Sequence, residues 1–303
     1  MRTLLLALCL MLPVWAQESI PFEYLPGSED GLLRGHLISI PVTVGEGVSA
    51  RFILDTGIGV DLISTRLAAR LHTPGTGTSY TGQRMSGQKV TLPLSYLSNL
   101  KVGSQFQRFG ICGLWDFKGF LPDTPAFAAI EGFLGLRFFQ HRPFTLDYPH
   151  QQLVLETPAS LRARLDGGLS VPLELDDDEG VSLTAFAPLE LAVGRAKVEV
   201  DTGSDSLILH SRFMAPLGIS EGGPEVRVVR AKDETDFAFT RWFTRLPGSI
   251  RLDGHQPLEL NQSRVMFQSI IHDGLIGDDY LRRFVVTFDL GHSRMIMRPA
   301  GNL

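Results

Sequence analysis

Two stretches, FILDTGIGVDLIS at residues 52–64 and VEVDTGSDSLILH at residues 198–210, share one plan. Each has an apolar, strand-like approach, an Asp-Thr-Gly tripeptide, a glycine or polar break, and a second apolar run. The tripeptides begin at Asp55 and Asp201, so they lie 201 − 55 = 146 residues apart, close to half of the 303-residue chain. At ordinary residue frequencies a given tripeptide of this kind arises by chance about 0.06 times in roughly 300 residues. Two copies therefore ask for a cause.

The repetition extends outward. EGFLGLRFFQHRPFTLDYPHQQLVL at 131–155 aligns without a gap on DGLIGDDYLRRFVVTFDLGHSRMIM at 273–297, at an offset of 273 − 131 = 142. Gly132 meets Gly274, Gly135 meets Gly277, Thr145 meets Thr287, Asp147 meets Asp289 and His150 meets His292. Upstream of each tripeptide, LISIPVTVGEGVSARF and PLELAVGRAKVEV alternate in polarity on both sides of a glycine-bearing turn. That is a hairpin signature. Each half thus predicts a hairpin, an Asp-Thr-Gly loop, a variable β-rich middle, an apolar-apolar-Gly segment, a short helix and a closing hairpin. The helices are expected near residues 136–142 and 278–284, and the closing turns at YPHQ and LGHS. Residues 157–168, TPASLRARLDGG, break the strand pattern and read as a linker. The expected fold class is mainly β and bilobal, with two pseudo-symmetric halves, 17–157 and 158–303, packed so that Asp55 and Asp201 meet across a pseudo-two-fold axis.

Composition agrees with a folded domain pair rather than a helical bundle: 44% hydrophobic, 20% charged, 31 Gly, 18 Pro and 19 Phe. A net charge of −5 argues against a nucleic-acid partner. The first residues, MRTLLLALCLMLPVWA, join a basic start to an apolar run too short to span a bilayer. They read as a signal peptide over 1–16, with export to the periplasm or medium. No other apolar run has spanning length, so no membrane span is expected after cleavage. Removing 1–16 leaves one cysteine, Cys112, which cannot form an intramolecular disulfide and reads as a small buried apolar residue.

The paired D-T-G motifs, each followed in its half by an apolar-apolar-Gly segment (Phe133-Leu134-Gly135 and Leu275-Ile276-Gly277), resemble the aspartic peptidases. Within them the chain is most similar to the retropepsin-like proteins of bacteria, on the strength of IPVTVGEGVSARFILDTG and GLIGDDYLRRFVVTFDLGHSRMIM. The likeness covers residues 34–157 and 168–299; the middles, 70–125 and 215–270, match weakly. It implies an acid-protease-like β-barrel fold and an endopeptidase that cleaves a peptide or protein substrate, needing no metal or other cofactor. It implies Asp55 and Asp201 as the catalytic pair, supported by Thr56, Gly57, Thr202, Gly203 and Ser204. Both acids lie in one chain, so a monomer is expected to suffice.

The chemistry explains the residue types. Glycine after the acid keeps the backbone from blocking approach, and the threonines are suited to bonding across the interface. Two carboxylates in contact share a proton, an established property of aspartic peptidases. One then takes a proton from water while the other protonates the scissile carbonyl. The halves differ at one place: Ser204 follows the second motif and Ile58 the first. A serine hydroxyl beside Asp201 would hold the charge there rather than on Asp55. YTGQRMSGQKV at 80–90 is the candidate flap, and residues 226–243 suggest a second hairpin with a polar tip. The rival reading is a peptide-binding or sensor module on the same fold.

Other signals carry less. The acids Asp176, Asp177, Asp178 and Glu179 lack the spaced oxygens of a calcium loop and read as a solvated hairpin tip. The histidines show no zinc spacing. Asp147 and Asp289 read as turn-forming.

Overall fold

A computed structural model describes residues 16–25, 37–233 and 236–301. The signal-peptide reading falls on 1–15, outside the described residues, apart from Ala16, whose carbonyl accepts a 2.9 Å hydrogen bond from Arg142. The fold is mainly β, as expected, with three sheets and a few short helices.

The closing hairpins predicted at YPHQ and LGHS form the centre of the molecule. Strands Phe144–Asp147 and Gln152–Leu155 make one, and Phe284–Asp289 and Arg294–Pro299 the other. They join in a six-stranded antiparallel sheet, flanked by Glu18–Pro21 on one edge and Leu169–Pro172 on the other. The register across the middle is decisive. Thr145 faces Thr287, Phe144 faces Phe288, and Leu146 faces Val286. With the repeat offset of 142, Thr145 and Thr287 are equivalent residues, and their neighbours pair in swapped order. The sequence repeat is therefore a two-fold axis in space, passing between these threonines.

The axis is sealed by chemistry on both faces. Phe144 and Phe288 stack with ring centroids 4.9 Å apart. Thr145 Oγ1 donates to Glu156 Oε1 at 2.6 Å, so its one proton is used, and at 2.7 Å it accepts from Thr287 Oγ1. Glu156 is fully buried and also accepts from Arg164 Nε at 2.9 Å. Arg164 belongs to the linker, which is not the unstructured break that its sequence suggests. Residues Pro158–Gly167 form a helix, with Thr157 and Ser160 in a reciprocal capping box and Pro158 in its first turn. No residue of this helix is buried, so capping and the Arg164–Glu156 pair hold it, not an apolar face.

Each half adds a larger sheet, of eight strands in the first and ten in the second. In both, the strand approaching Asp-Thr-Gly runs parallel to the apolar-apolar-Gly strand: Val48–Leu54 beside Ile130–Leu134, and Gly194–Val200 beside Gly274–Ile276. Asp55 N donates to Leu134 O and Asp201 N to Ile276 O, both at 3.0 Å. The conserved spacing within each half thus fixes where each acid leaves its sheet. The short helices fall at Leu136–Phe139 and Asp278–Leu281, close to their expected places. Asp147 and Asp289 each bond the histidine three residues on, at 2.8 and 2.9 Å, which is the turn-forming role expected of them. Cys112 is a free, buried thiol, pushed up to about 12 by burial. Among the described residues no helix is long and apolar enough to cross a membrane.

Candidate active site

Both tripeptides end at the interface between the halves, and the two threonines tie them together. Thr56 N donates to Thr202 Oγ1 and Thr202 N to Thr56 Oγ1, each at 3.0 Å. Thr56 Oγ1 then donates to Val200 O at 2.6 Å, and Thr202 Oγ1 to Leu54 O at 2.9 Å. Both threonines are buried, so four hydrogen bonds out of water fix one loop against the other.

The glycines serve a closer purpose than clearing an approach. Gly57 N donates to Asp55 Oδ1 at 2.9 Å, and Gly203 N to Asp201 Oδ1 at 2.8 Å. Each glycine also lies under the opposite carboxylate. A Cβ on Gly57 would sit 2.5 Å from Asp201 Cγ, and one on Gly203 would sit 2.3 Å from Asp55 Cγ. Any side chain there would wedge the two acids apart.

Asp55 and Asp201 are hydrogen-bonded to one another. Burial, then the charge of Asp201, holds Asp55 well above the usual carboxylate range. Burial raises Asp201 as well, but hydrogen bonds from Gly203 N and from Asp55 oppose it. Burial thus raises both acids, and the pair titrates as a unit. The Ser204 hydroxyl does not take the place beside Asp201 that the sequence suggests for it. Ser204 Oγ points to Ser206 O at 3.5 Å, and it is the Ser204 backbone that favours the ionised Asp201.

Asp201, Gly57 and Gly203 line a cleft of about 810 Å³, a size that suits a bound segment of chain, and Asp55 lies buried against Gly203. Its first-half walls include Ile58, Leu62, Trp115 and Phe120, and its second-half walls Ile208, Phe243, Met266 and Leu275. The flap candidate is a hairpin of Gly75–Gln83 and Lys89–Val102, turning at Gly87 with φ +84°. It crosses the cleft and lands on the other half: Met85 O accepts from Ile271 N at 3.0 Å, and Arg84 meets Asp233 at 3.3 Å. Tyr80 donates to Asp178 at 2.8 Å. The acidic run is therefore more than a solvated tip. Asp178 receives the flap, while Asp177 takes two bonds from Arg137 of the first half, at 3.0 and 2.6 Å. Tyr80→Phe is expected to cost under about 1 kcal/mol of global stability, since the bond is exposed, while loosening the flap. Faster amide exchange over residues 80–90 would register this; unchanged exchange would show that the tyrosine does not latch it. The second predicted hairpin also forms, from Arg227–Lys232 and Ala238–Arg245.

Two acids at the site carry no weight in the sequence reading. Asp61 is buried, accepts from Gly135 N at 2.7 Å, and is pushed up to about 7 by burial. It joins the Asp-Thr-Gly loop to the apolar-apolar-Gly segment. Glu199 lines the cleft two residues before Asp201. The signal for it is the alternation of VEVDTG, which puts Glu199 and Asp201 on one face of a strand.

Comparison with known proteins supports the first half most directly. Residues 40–111 match the family model described as aspartyl protease. At a coarse level this supports a peptidase. No curated protein matches the chain. Among solved structures, conglutin gamma, a basic 7S globulin from lupine seeds, is similar at 11% identity and a TM-score of 0.49, over 94% of this chain and 95% of that one.

Proposed function

We propose that the protein is an aspartic endopeptidase whose catalytic pair is Asp55 and Asp201, one from each half of a single chain. The observation that carries this reading is a pair of buried carboxylates, each seated on the other half's glycine, where the two Asp-Thr-Gly loops interlock beside a flap-covered cleft. Ionised Asp201 takes a proton from a water, whose oxygen attacks the scissile carbonyl carbon. Asp55 gives its proton to the carbonyl oxygen. The tetrahedral diol then collapses: Asp201 gives the proton it took from water to the nitrogen, the C–N bond breaks and the amine leaves, and a diol hydroxyl returns its proton to Asp55 as the carboxyl product forms. Every step uses proton transfer by two positioned acids. The cis arrangement makes a monomer sufficient, and the leader over 1–16 fits an exported enzyme.

Cleavage of a mixed peptide library by the chain lacking 1–16, from pH 3 to 8, tests this beside Asp55→Asn and Asp201→Asn. Cleavage by the parent and none by the variants supports the reading. Peptide binding with no cleavage at any pH would put the binding-module reading in its place.

A further inference from the structure

Glu199 is a buried acid that lines the cleft. It is 7% exposed, and that exposure opens into the cleft. The strand Gly194–Val200 runs straight into the second tripeptide, so Glu199 and Asp201 project from the same face, about 7 Å apart along the strand. The two-fold axis supplies a comparison. Subtracting the motif offset gives 199 − 146 = 53, and residue 53 is an isoleucine, fully buried in the first-half core. One half therefore carries a carboxylate where the other carries an apolar side chain.

A buried carboxylate is costly unless paired or hydrogen-bonded. Among the described residues, the nearest cationic candidate is His272, whose Nε2 is 3.9 Å away, beyond hydrogen-bond distance. Burial lowers His272, which disfavours its charged form, and its ring packs edge-on against Phe186. Lys197, on the same strand face, is turned away: its Nζ lies 2.5 Å from Glu174 and over the Phe186 ring. The other charges around the cleft are engaged. Asp177 holds Arg137, Asp178 holds Tyr80, Arg84 meets Asp233, and Arg241 bonds Gln268. Burial, with Asp201 and Asp55 close by, keeps Glu199 well above the ordinary carboxylate range, as expected of an acid with no cation beside it. Exposed Asp176 adds negative charge at the rim on the same side.

We propose that Glu199 is a specificity residue: with Asp176 at the rim, it forms a subsite beside the catalytic pair that takes the cationic side chain of a lysine or arginine flanking the cleaved bond. This rests on the peptidase reading, since it places a peptide across the dyad. An arriving ammonium or guanidinium gives the buried acid the partner that its own chain withholds, in a charge-assisted bond shielded from water. Asp205, which borders the cleft on the side of Phe243 and Met266, already accepts from Ser206 Oγ at 2.9 Å.

The test uses short peptides N-methylated at the central amide, so that binding is read without turnover. Lysine, arginine, norleucine or glutamate is placed in turn at each position flanking that bond. The parent is expected to bind the lysine or arginine peptide at least tenfold tighter than the norleucine peptide at one position. In Glu199→Gln that ratio should fall to within about twofold, and in Glu199→Leu it should reverse, with thermal melts confirming that both variants fold. Asp176→Asn should lower it by a smaller factor. Equal binding of lysine and norleucine peptides by the parent at every position, or a basic preference that survives in Glu199→Gln, would overturn the proposal. Failure of the peptidase reading would appear separately, as no cleavage of the unmethylated peptides.

Discussion

Asparagine at position 201 is expected to lower kcat/KM for peptide cleavage by about 10²–10⁴-fold, the span that positioned acid–base groups contribute. The substitution is isosteric. The amide oxygen still accepts from Gly203 N, and the threonine bonds that join the loops are untouched. What is lost is the ionisable oxygen that takes the proton of the attacking water. Asp55→Asn should fall in the same range for the complementary reason: no proton remains to give to the carbonyl oxygen. The two losses should not add, because the acids act as one unit. The double variant is expected to be no more than a few-fold slower than either single one. Peptide affinity should stay within a few-fold of the parent. Steady-state kinetics on one cleaved peptide, with an equilibrium binding measurement beside it, checks all four statements. If either single variant keeps more than about a tenth of parental turnover, the dyad mechanism fails.

Much of this site is legible in the sequence because the repeat forces it. The offset of 142 between Thr145 and Thr287 reappears as a hydrogen bond between equivalent residues, and the offset of 146 between the tripeptides reappears as two interlocked loops. Repeats state which residues are equivalent, and a two-fold axis brings equivalents together. What repetition cannot state is where the halves differ. Ser204 and Ile58 differ in sequence, but only the backbone path shows that the serine hydroxyl turns to Ser206 O. The capping signals of Thr157, Pro158 and Ser160 were available in TPASLRARLDGG, yet a helix without an apolar face gives no periodicity to find. The landing of Met85 on Ile271 joins positions 186 residues apart by a backbone bond, which no side-chain pattern encodes. Glu199 is hidden for another reason. A charged residue in an alternating strand ordinarily faces water, and here the outer face of that strand is the inside of a cleft.

The same acids that equip the site set how stability should vary with pH. Asp55, Asp61, Asp201 and Glu199 all stand above their ordinary range in the fold, and burial is the largest cause for each. A carboxylate raised on folding binds its proton more tightly in the native state than in the unfolded chain. Its contribution to stability is fully present below the unfolded pKa and is lost as pH rises through the folded one. For Asp61 the window runs from 3.8 to about 7, worth up to a few kcal/mol if the whole shift is realised. His210 and His272 work in the opposite sense. Burial lowers both, so their contribution is lost as pH falls through the range in which an unfolded histidine gains its proton. Both are partly exposed, which weakens their share. Asp177 is lowered by Arg137, and what it adds is lost only below the ordinary aspartate range, with little weight at so exposed a position. The four raised carboxylates outweigh these, so the unfolding free energy is expected to be larger near pH 5 than near pH 7.5, by a few kcal/mol. Denaturant titrations at a series of pH values measure this directly. Asp61→Asn should flatten the profile, because the amide keeps an oxygen for Gly135 N and never ionises. Stability that holds level or climbs between pH 5 and 7.5 would mean that these acids ionise in the fold as readily as in water, and the proton-sharing account of Asp55 and Asp201 would fall with it.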